Sequence, residues 1–539
     1  MQKVSPEWEN IHKQTLLNES FVEISLDITD PVAQKDATSS SKDSAYISET
    51  TELTSDLNKP MRSYSTLEQN IWLLNGKREI IPETNYADGG YVGNVLSNEE
   101  CVFDTKIPTI DIEFNKVHTQ IIPGITITWG TVYNEYADHF IVTAYKGASI
   151  VARKEIQGNQ SIVSVVELDI VNYNRITIEI ISWCLPNHRA RIDDIFIGLN
   201  KVYSKRDLFK FSHSQSVDPI SSSLPKNEIK FSIDNSDNSY NPYNINGLAK
   251  YLTARQEVKT RYGLKLNDNT IEWIKGGSYY LSEWYANQNG ISAEFVARDI
   301  LEFMSATYTE SEDEYYDRAT STFKERTLYD LARKVLCQAG LPLNVDGSKK
   351  WVIDGSLNNI TTTAPLPKDT FANCLQLIAN AGCCVLYPDR DGIIHIEPIS
   401  NSETDYEINS FNSYSKSEIT LSKTIKQINV EEYTYSMGEK GVEDSIIEIV
   451  SSFGDTGEII TIDNPLITSS DRAEAVGKWI GNYLKNRITL KSTVRADVKL
   501  DALDIVSNAN DYGVNRVRMT NVKFEFNGAF RGSGEGRVI

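Results

Sequence analysis

Apolar and polar residues alternate with a period of two along most of this chain, the spacing of strands with one face buried. The first such run is Phe21 to Ile28, FVEISLDI. It gives way at Asp36 to Leu57 to a stretch rich in Ser, Thr, Asp and Lys, which reads as an exposed loop or disordered insertion. Apolar character returns at Leu67 to Leu74 before the turn-like Asn75-Gly76. From about Glu83 to Tyr203 come DIEFNKV, GITITWGTV, HFIVTAYKG, ASIVARKEI, IVSVVELDI, RITIEIISW and ARIDDIFIG, short alternating runs at even spacing. That regularity predicts a β-sandwich or jelly roll. From Leu208 to Ala306 the pattern is again β, interrupted by the turn-rich DNSDNSYNPYNIN at 234–246, and predicts a small barrel.

Helical spacing enters at three places. Thr327 can cap a helix whose Leu328, Leu331, Ala332, Val335 and Leu336 share a face, with Gly340 and Pro342 ending it. A second helix is predicted from Thr370 to Ala381, running into CCVLYPDRDGIIHIEP with a hairpin turn at Asp391-Gly392. A third is predicted at 471–485, with Asp471 and Glu474 as a capping box and Ala473, Val476 and Ile480 inward. The fold class expected is therefore mainly β with an α/β part: β-barrel domains, a small α/β domain and an inserted β-sandwich. The divisions are an N-terminal segment at 1–82, a jelly roll at 83–205, a first barrel at 206–310, an α/β domain at 311–399 and a second barrel at 400–539.

Composition narrows the function. At 539 residues the chain exceeds one hydrophobic core, and about three or four domains follow from length. A formal charge of −20 argues against wrapping nucleic acid, which takes Lys and Arg to release phosphate counterions. No sequence-specific nucleic acid partner is expected. Residues 1–19 lack the apolar core of a secretory signal, and no run approaches the ~20 residues of a membrane span, so synthesis in a host cytoplasm without stable membrane insertion is expected. Six cysteines without a C-x-x-C pair read as buried free thiols, and adjacent Cys383 and Cys384 in an apparent strand point to opposite faces.

Chemistry is sparse. There is no G-x-S-x-G, H-E-x-x-H or P-loop, and His12, His118, His139, His188, His213 and His395 are scattered singly, so no catalytic residue, cofactor or metal is assigned. The terminal RGSGEGR places Gly532, Gly534 and Gly536 after a strand with no helix behind them, which reads as a flexible contact strand rather than a phosphate loop. The oxygens of 234–239 alternate as in calcium loops, yet the glycine and the bidentate Glu are missing; Asx turns are the alternative. In the jelly roll, Trp129, Tyr133, Tyr136 and Trp183 could stack on sugar rings, while Arg189, Arg191, Asp193 and Asp194 could hydrogen-bond hydroxyls. Core packing is the competing reading for each aromatic, and strand-end solvation or an inter-domain ion pair for the polar group.

The phrases FSIDNSDNSYNPYNINGL, VKTRYG, IKGGSYYLSEW, EFVARDILEFM, TLYDLARKVLCQAGLP, TFANCLQLIANAGCCVLYPDRDGIIHIEP and VRMTNVKFEFNGAFRGSGEGR follow one another over most of Leu208 to Ile539. In that order the chain resembles the baseplate hub, or tail-associated, proteins of phages and prophages of Gram-positive bacteria. The resemblance implies a structural, non-enzymatic homotrimer in the virion tail tip, with two tube-like barrels per chain capping the tail tube. It implies as partners the tail tube and distal tail proteins, the tape measure protein, and peripheral baseplate or receptor-binding proteins, with a role in DNA exit. Relatives carry a peptidase or lysozyme domain after the hub; none is expected here. YNRITIEIISW and RARIDDIFIG make the inserted block similar to galactose-binding, discoidin-like domains, which leaves a host-wall glycan as a further partner and a carbohydrate-binding adhesin as the rival function. A tail-borne wall hydrolase is the third expectation.

Overall fold

The computed structural model describes residues 1–14, 18–45, 47–54, 63–68, 70–74, 76, 78–80, 90–286, 290–342, 348–401, 403–438 and 441–539. Asn75, residues 55–57 and the domain boundary expected at 83 lie outside these. The chain is mainly β, 49% strand and 14% helix, and its buried side chains form three large cores.

The first core lies within one 13-stranded sheet. Its path runs through Gly198–Tyr203, Ser20–Thr29, Glu257–Lys265, Ile271–Ala286, Ser292–Arg298, Lys226–Asp234 and Leu208–Ser216. It then crosses to Gly513–Phe526, Phe530–Val538, Ile488–Val494 and Glu418–Leu421, with two further strands attached to the side. The crossing is antiparallel, with Phe211 opposite Phe526 and Ser216 opposite Asn521. Tube-like barrels were expected; among the described residues the pairing forms one path, and the sheet curls so that distant strands meet through side chains: Phe211 and His213 pack on Tyr262, which packs in turn on Phe530. His213 is wholly enclosed, its ring nitrogens bonded by the Tyr262 hydroxyl at 2.9 Å and the Tyr279 hydroxyl at 2.6 Å. The N-terminal segment is part of this sheet, because Ser20–Thr29 pairs on both edges.

RGSGEGR lies inside the strand Phe530–Val538, paired on both sides, rather than acting as a flexible contact. Its glycines permit close packing: a Cβ on Gly536 would sit 2.3 Å from the Arg518 carbonyl oxygen.

The inserted block is a sandwich of a four-stranded and a five-stranded sheet, and all seven alternating runs are strands in it. Its limits differ from the expected 83–205. Ala37–Ser40 pairs with Thr109–His118, Ser39 and Leu53 are buried, and Asp36 accepts from Asn115 while bonding His118 at 2.8 Å. The described part of 36–57 is therefore a piece of the sandwich rather than an exposed loop. The sandwich is joined to the large sheet where Gly198, at φ +150°, lets two strands approach; a Cβ there would lie 2.4 Å from the Ile28 carbonyl oxygen.

The α/β part holds Leu328–Gln338, capped by Thr327 as expected, and Phe371–Ala381, capped by Thr370, against a three-stranded sheet. Cys383 is not in a strand but in a turn at φ +55°, ahead of Val385–Pro388. The third helix is Ser470–Leu484, and its cap is Ser469 rather than Asp471. This helix and Ile425–Gly438, assigned from sequence to a second barrel, share the α/β core: Ile428, Val430, Val476 and Ile480 cluster with Leu331 and Leu375. Arg390 ties this part to the large sheet, donating to Asp501 at 2.6 Å and to the carbonyls of Lys275, Val498 and Leu500. Among the described residues no helix is long and apolar enough to cross a membrane.

Candidate functional site at the end of the sandwich

Two loops close one end of the sandwich, between Ile122–Trp129 and Ala137–Lys146 and between Tyr173–Trp183 and Arg189–Phe196. Each turns through an Asn at φ +58°, Asn134 and Asn187, the residue type that best tolerates left-handed backbone after glycine. The described residues of 63–80, an arm of the chain, lie across them. Together they enclose a cavity of about 570 Å³ whose walls include Tyr133, Val132, Pro186, His188, Asn70 and Arg78.

A buried ion network underlies the cavity. Glu68, from the arm, is 1% exposed and takes both terminal nitrogens of Arg191, itself 2% exposed, together with the Arg189 amide at 2.9 Å and the Thr66 hydroxyl. Burial favours the neutral carboxyl of Glu68, but the Arg191 hydrogen bonds and charge outweigh it and hold the group below the usual carboxylate range. Glu135, on the first loop, accepts from Trp183 Nε1 at 2.9 Å and bonds His188 Nδ1 at 2.8 Å, with Arg191 at 3.5 Å. For His188 burial works against protonation, yet the Glu135 bond and the charges of Glu135 and Glu68 prevail and raise its pKa. The Arg191 guanidinium also lies 4.5 Å from the Tyr133 ring centre, and the Tyr133 hydroxyl donates to the Tyr64 carbonyl.

Of the residues singled out for sugar contact, Tyr133 lines the cavity. Trp129 and Trp183 are 0% and 1% exposed and pack edge to face at 6.0 Å, so they are core residues and not stacking platforms. Tyr136 is half-buried against the same core. Arg189 donates to the Gly93 carbonyl, Arg191 is spent on carboxylates, and Asp193 accepts from Thr131. Asp194 sits opposite Thr128 in the strand ladder, away from the cavity lining. Sequence reasoning missed Glu68, Glu135, His188 and Arg78. The two carboxylates have one local signal, their place among apolar and aromatic residues in LEQNIWLL and TVYNEYAD; His188 and Arg78 have none.

Elsewhere, 234–246 is a chain of Asx turns: Asp234, Asn235, Asp237, Asn241 and Asn244 each accept a backbone N–H two to five residues on. Among the described residues no group of three or more His, Cys, Asp or Glu side chains is placed to hold a metal ion.

Comparison with protein-family models returns no match, and comparison with curated protein sequences returns none either. Among solved structures, the chain is similar to the 43 kDa tail protein of a Shewanella oneidensis prophage, at 11% identity and a TM-score of 0.40, over 62% of this chain and 95% of that one. It is similar to a tail protein from Neisseria meningitidis at 11% identity and a TM-score of 0.42, over 62% and 93%. A prophage tail protein from Listeria monocytogenes is also similar, at 10% identity and a TM-score of 0.39, over 63% and 91%.

Proposed function

We propose that this chain is a structural, non-catalytic hub of a phage tail tip or baseplate, acting as a homotrimer that joins tail tube and tape measure protein to peripheral baseplate proteins and gates DNA exit. The observation that carries the reading is the ordered series of phrases over Leu208 to Ile539, whose two β-rich ends meet in one sheet through the Phe211–Phe526 pairing. A continuous sheet of this length resists bending between its halves, which suits a part that transmits force. The interior of the curled sheet is filled by Tyr262, Tyr279, Phe295 and Phe524, so any channel for DNA runs between subunits rather than through one. Mass photometry of the purified chain should give three times the monomer mass, and cryo-EM a threefold ring; a persistent monomer that also fails to form a ring in particles refutes the proposal.

The cavity favours a second reading, a sandwich that binds host-wall carbohydrate. Aromatic and aliphatic side chains beside polar ones in a recess of this size suit a pyranose, which has apolar faces and a polar rim. A glycan array probed with the full chain should then give a signal that Tyr133→Ala abolishes; a blank array rejects this reading and leaves the hub untouched.

A further inference from the structure

The carboxylates near the sandwich cavity are already consumed. Glu68 accepts from Arg191, Arg189 and Thr66, and Glu135 from Trp183, His188 and Arg191. Glu135 also lines the cavity, where its charge is answered by His188 and Arg191, while that of Glu68 is answered by Arg191. On the cavity wall Arg78 stands outside this network, and His188 keeps one ring nitrogen that Glu135 does not bond. Arg78 lines the cavity, and its Nε is buried without a hydrogen-bond partner. His188 lines it too, with Nδ1 turned to Glu135, so that Nε2 is the ring nitrogen left to the cavity. A buried guanidinium nitrogen without an acceptor is costly, and an anion bonded to the same guanidinium from the cavity offsets part of that cost. With Glu135 bonded by His188, Arg78 gives the wall a cation of its own in a chain of net charge −20, most of whose surface repels anions. Tyr133, Val132 and Pro186 supply an apolar flank, and Asn70 a neutral hydrogen-bonding group.

From this we infer that the cavity binds a saccharide carrying one anionic group, a sugar carboxylate or a sugar phosphate, with the anion on Arg78, a hydroxyl on His188 Nε2 and the ring against Tyr133 and Pro186. The inference rests on the carbohydrate reading and specifies its ligand class. The arm 63–80 then has a role of its own: it carries Arg78 into the site and is held there by the Glu68–Arg191 pair, so that the site belongs to arm and sandwich jointly.

Saturation-transfer NMR on the full chain with D-glucose, D-glucuronate and D-glucose 6-phosphate tests this. Glucuronate, glucose 6-phosphate or both should bind about tenfold or more tightly than glucose, the effect of one charge-assisted contact. The response to the two anions tells which group the site takes, and either supports the inference. Arg78→Ala should reduce the anionic sugar to the level of glucose, whereas Lys250→Ala, a surface cation paired with Asp169 elsewhere, should change nothing; unchanged thermal melting establishes that both variants fold. Equal binding of all three sugars, indifferent to Arg78→Ala, overturns the anionic ligand and leaves the carbohydrate reading standing. No binding of any of the three, with a blank glycan array, overturns both.

Discussion

Replacing Arg191 by Met removes the charge that answers Glu68 while keeping most of the side chain's volume, and it should unfasten the arm from the sandwich. Glu68 and Glu135 have side chains 0% and 3% exposed, so water cannot take over from the guanidinium. Removing one partner of a buried pair costs about 3–5 kcal/mol, chiefly because the other charge remains buried. For a unit of the sandwich's size that is a fall in melting temperature of about 6–20 °C. The assay is hydrogen–deuterium exchange with mass spectrometry on the full chain at pH 7, following peptides from Tyr173–Trp183 and Arg189–Phe196, whose opening free energy should drop by that amount while the large sheet is unchanged. The double variant Glu68→Gln with Arg191→Met removes both charges and leaves an amide oxygen to accept from Arg189 N and Thr66, so it should recover at least half of the loss. Acid offers a second check. The Glu68 carboxyl is held below its unfolded value, so its contribution is complete above about pH 4.5 and is lost as pH falls through the lower folded value. The gap between wild type and Arg191→Met should therefore narrow below pH 4. An Arg191→Met variant within about 1 kcal/mol of wild type, or a double variant no more stable than the single one, would refute the reasoning.

Three further effects follow from buried groups elsewhere. Burial, assisted by the Arg390 charge, pushes His213 down to about 3, so the folded protein keeps it neutral where the unfolded chain protonates it; stability is full above about pH 6.5 and should fall by about 2 kcal/mol at pH 5, a slope that urea melts should lose in His213→Gln. Burial raises Asp299 to about 7, which means stability is full below the unfolded value and lost as pH rises through 7; Asp299→Asn keeps the cap on Ile300–Met304 and should gain about 2–4 kcal/mol at pH 8 and nothing at pH 4. Arg390→Ala strips four hydrogen bonds from the junction of α/β part and sheet and should cost about 3–5 kcal/mol, seen as new limited-proteolysis cuts between Asp389 and Ser400.

Strands and helix starts are legible in this sequence because their causes are local. RITIEIISW alternates within itself, and Thr327 caps its helix with its own hydroxyl, so neither needs a partner to be recognised. What a local pattern cannot convey is which sheet a strand joins. Ile428 and Val430 alternate as well for a barrel as for the α/β core that receives them. Ser39 and Thr38 read as solvent-facing because nothing nearby is apolar; their strand is specified by Thr109–His118, far along the chain, and by Leu53 beneath it.

The site divides along the same line. Trp129 and Trp183 have the chemistry to hold a sugar and are unavailable, because sandwich cores need large apolar side chains at these strand ends and the two rings fill each other's edges. Glu68 and Glu135 are two of 74 acidic residues and look like solubility until the fold buries them. Glu68 meets Arg191 across 123 positions of sequence. An ion pair so distant and so buried is a poor means of gaining stability, since well-packed apolar residues would do as well. What it adds is specificity of place: it fixes where the arm lies against the sandwich end, and an arm so placed is what brings Arg78 to the cavity wall. The network and the cavity thus share residues: Glu135 and His188 belong to both, so the contacts that underlie the arm's position also form part of the cavity wall.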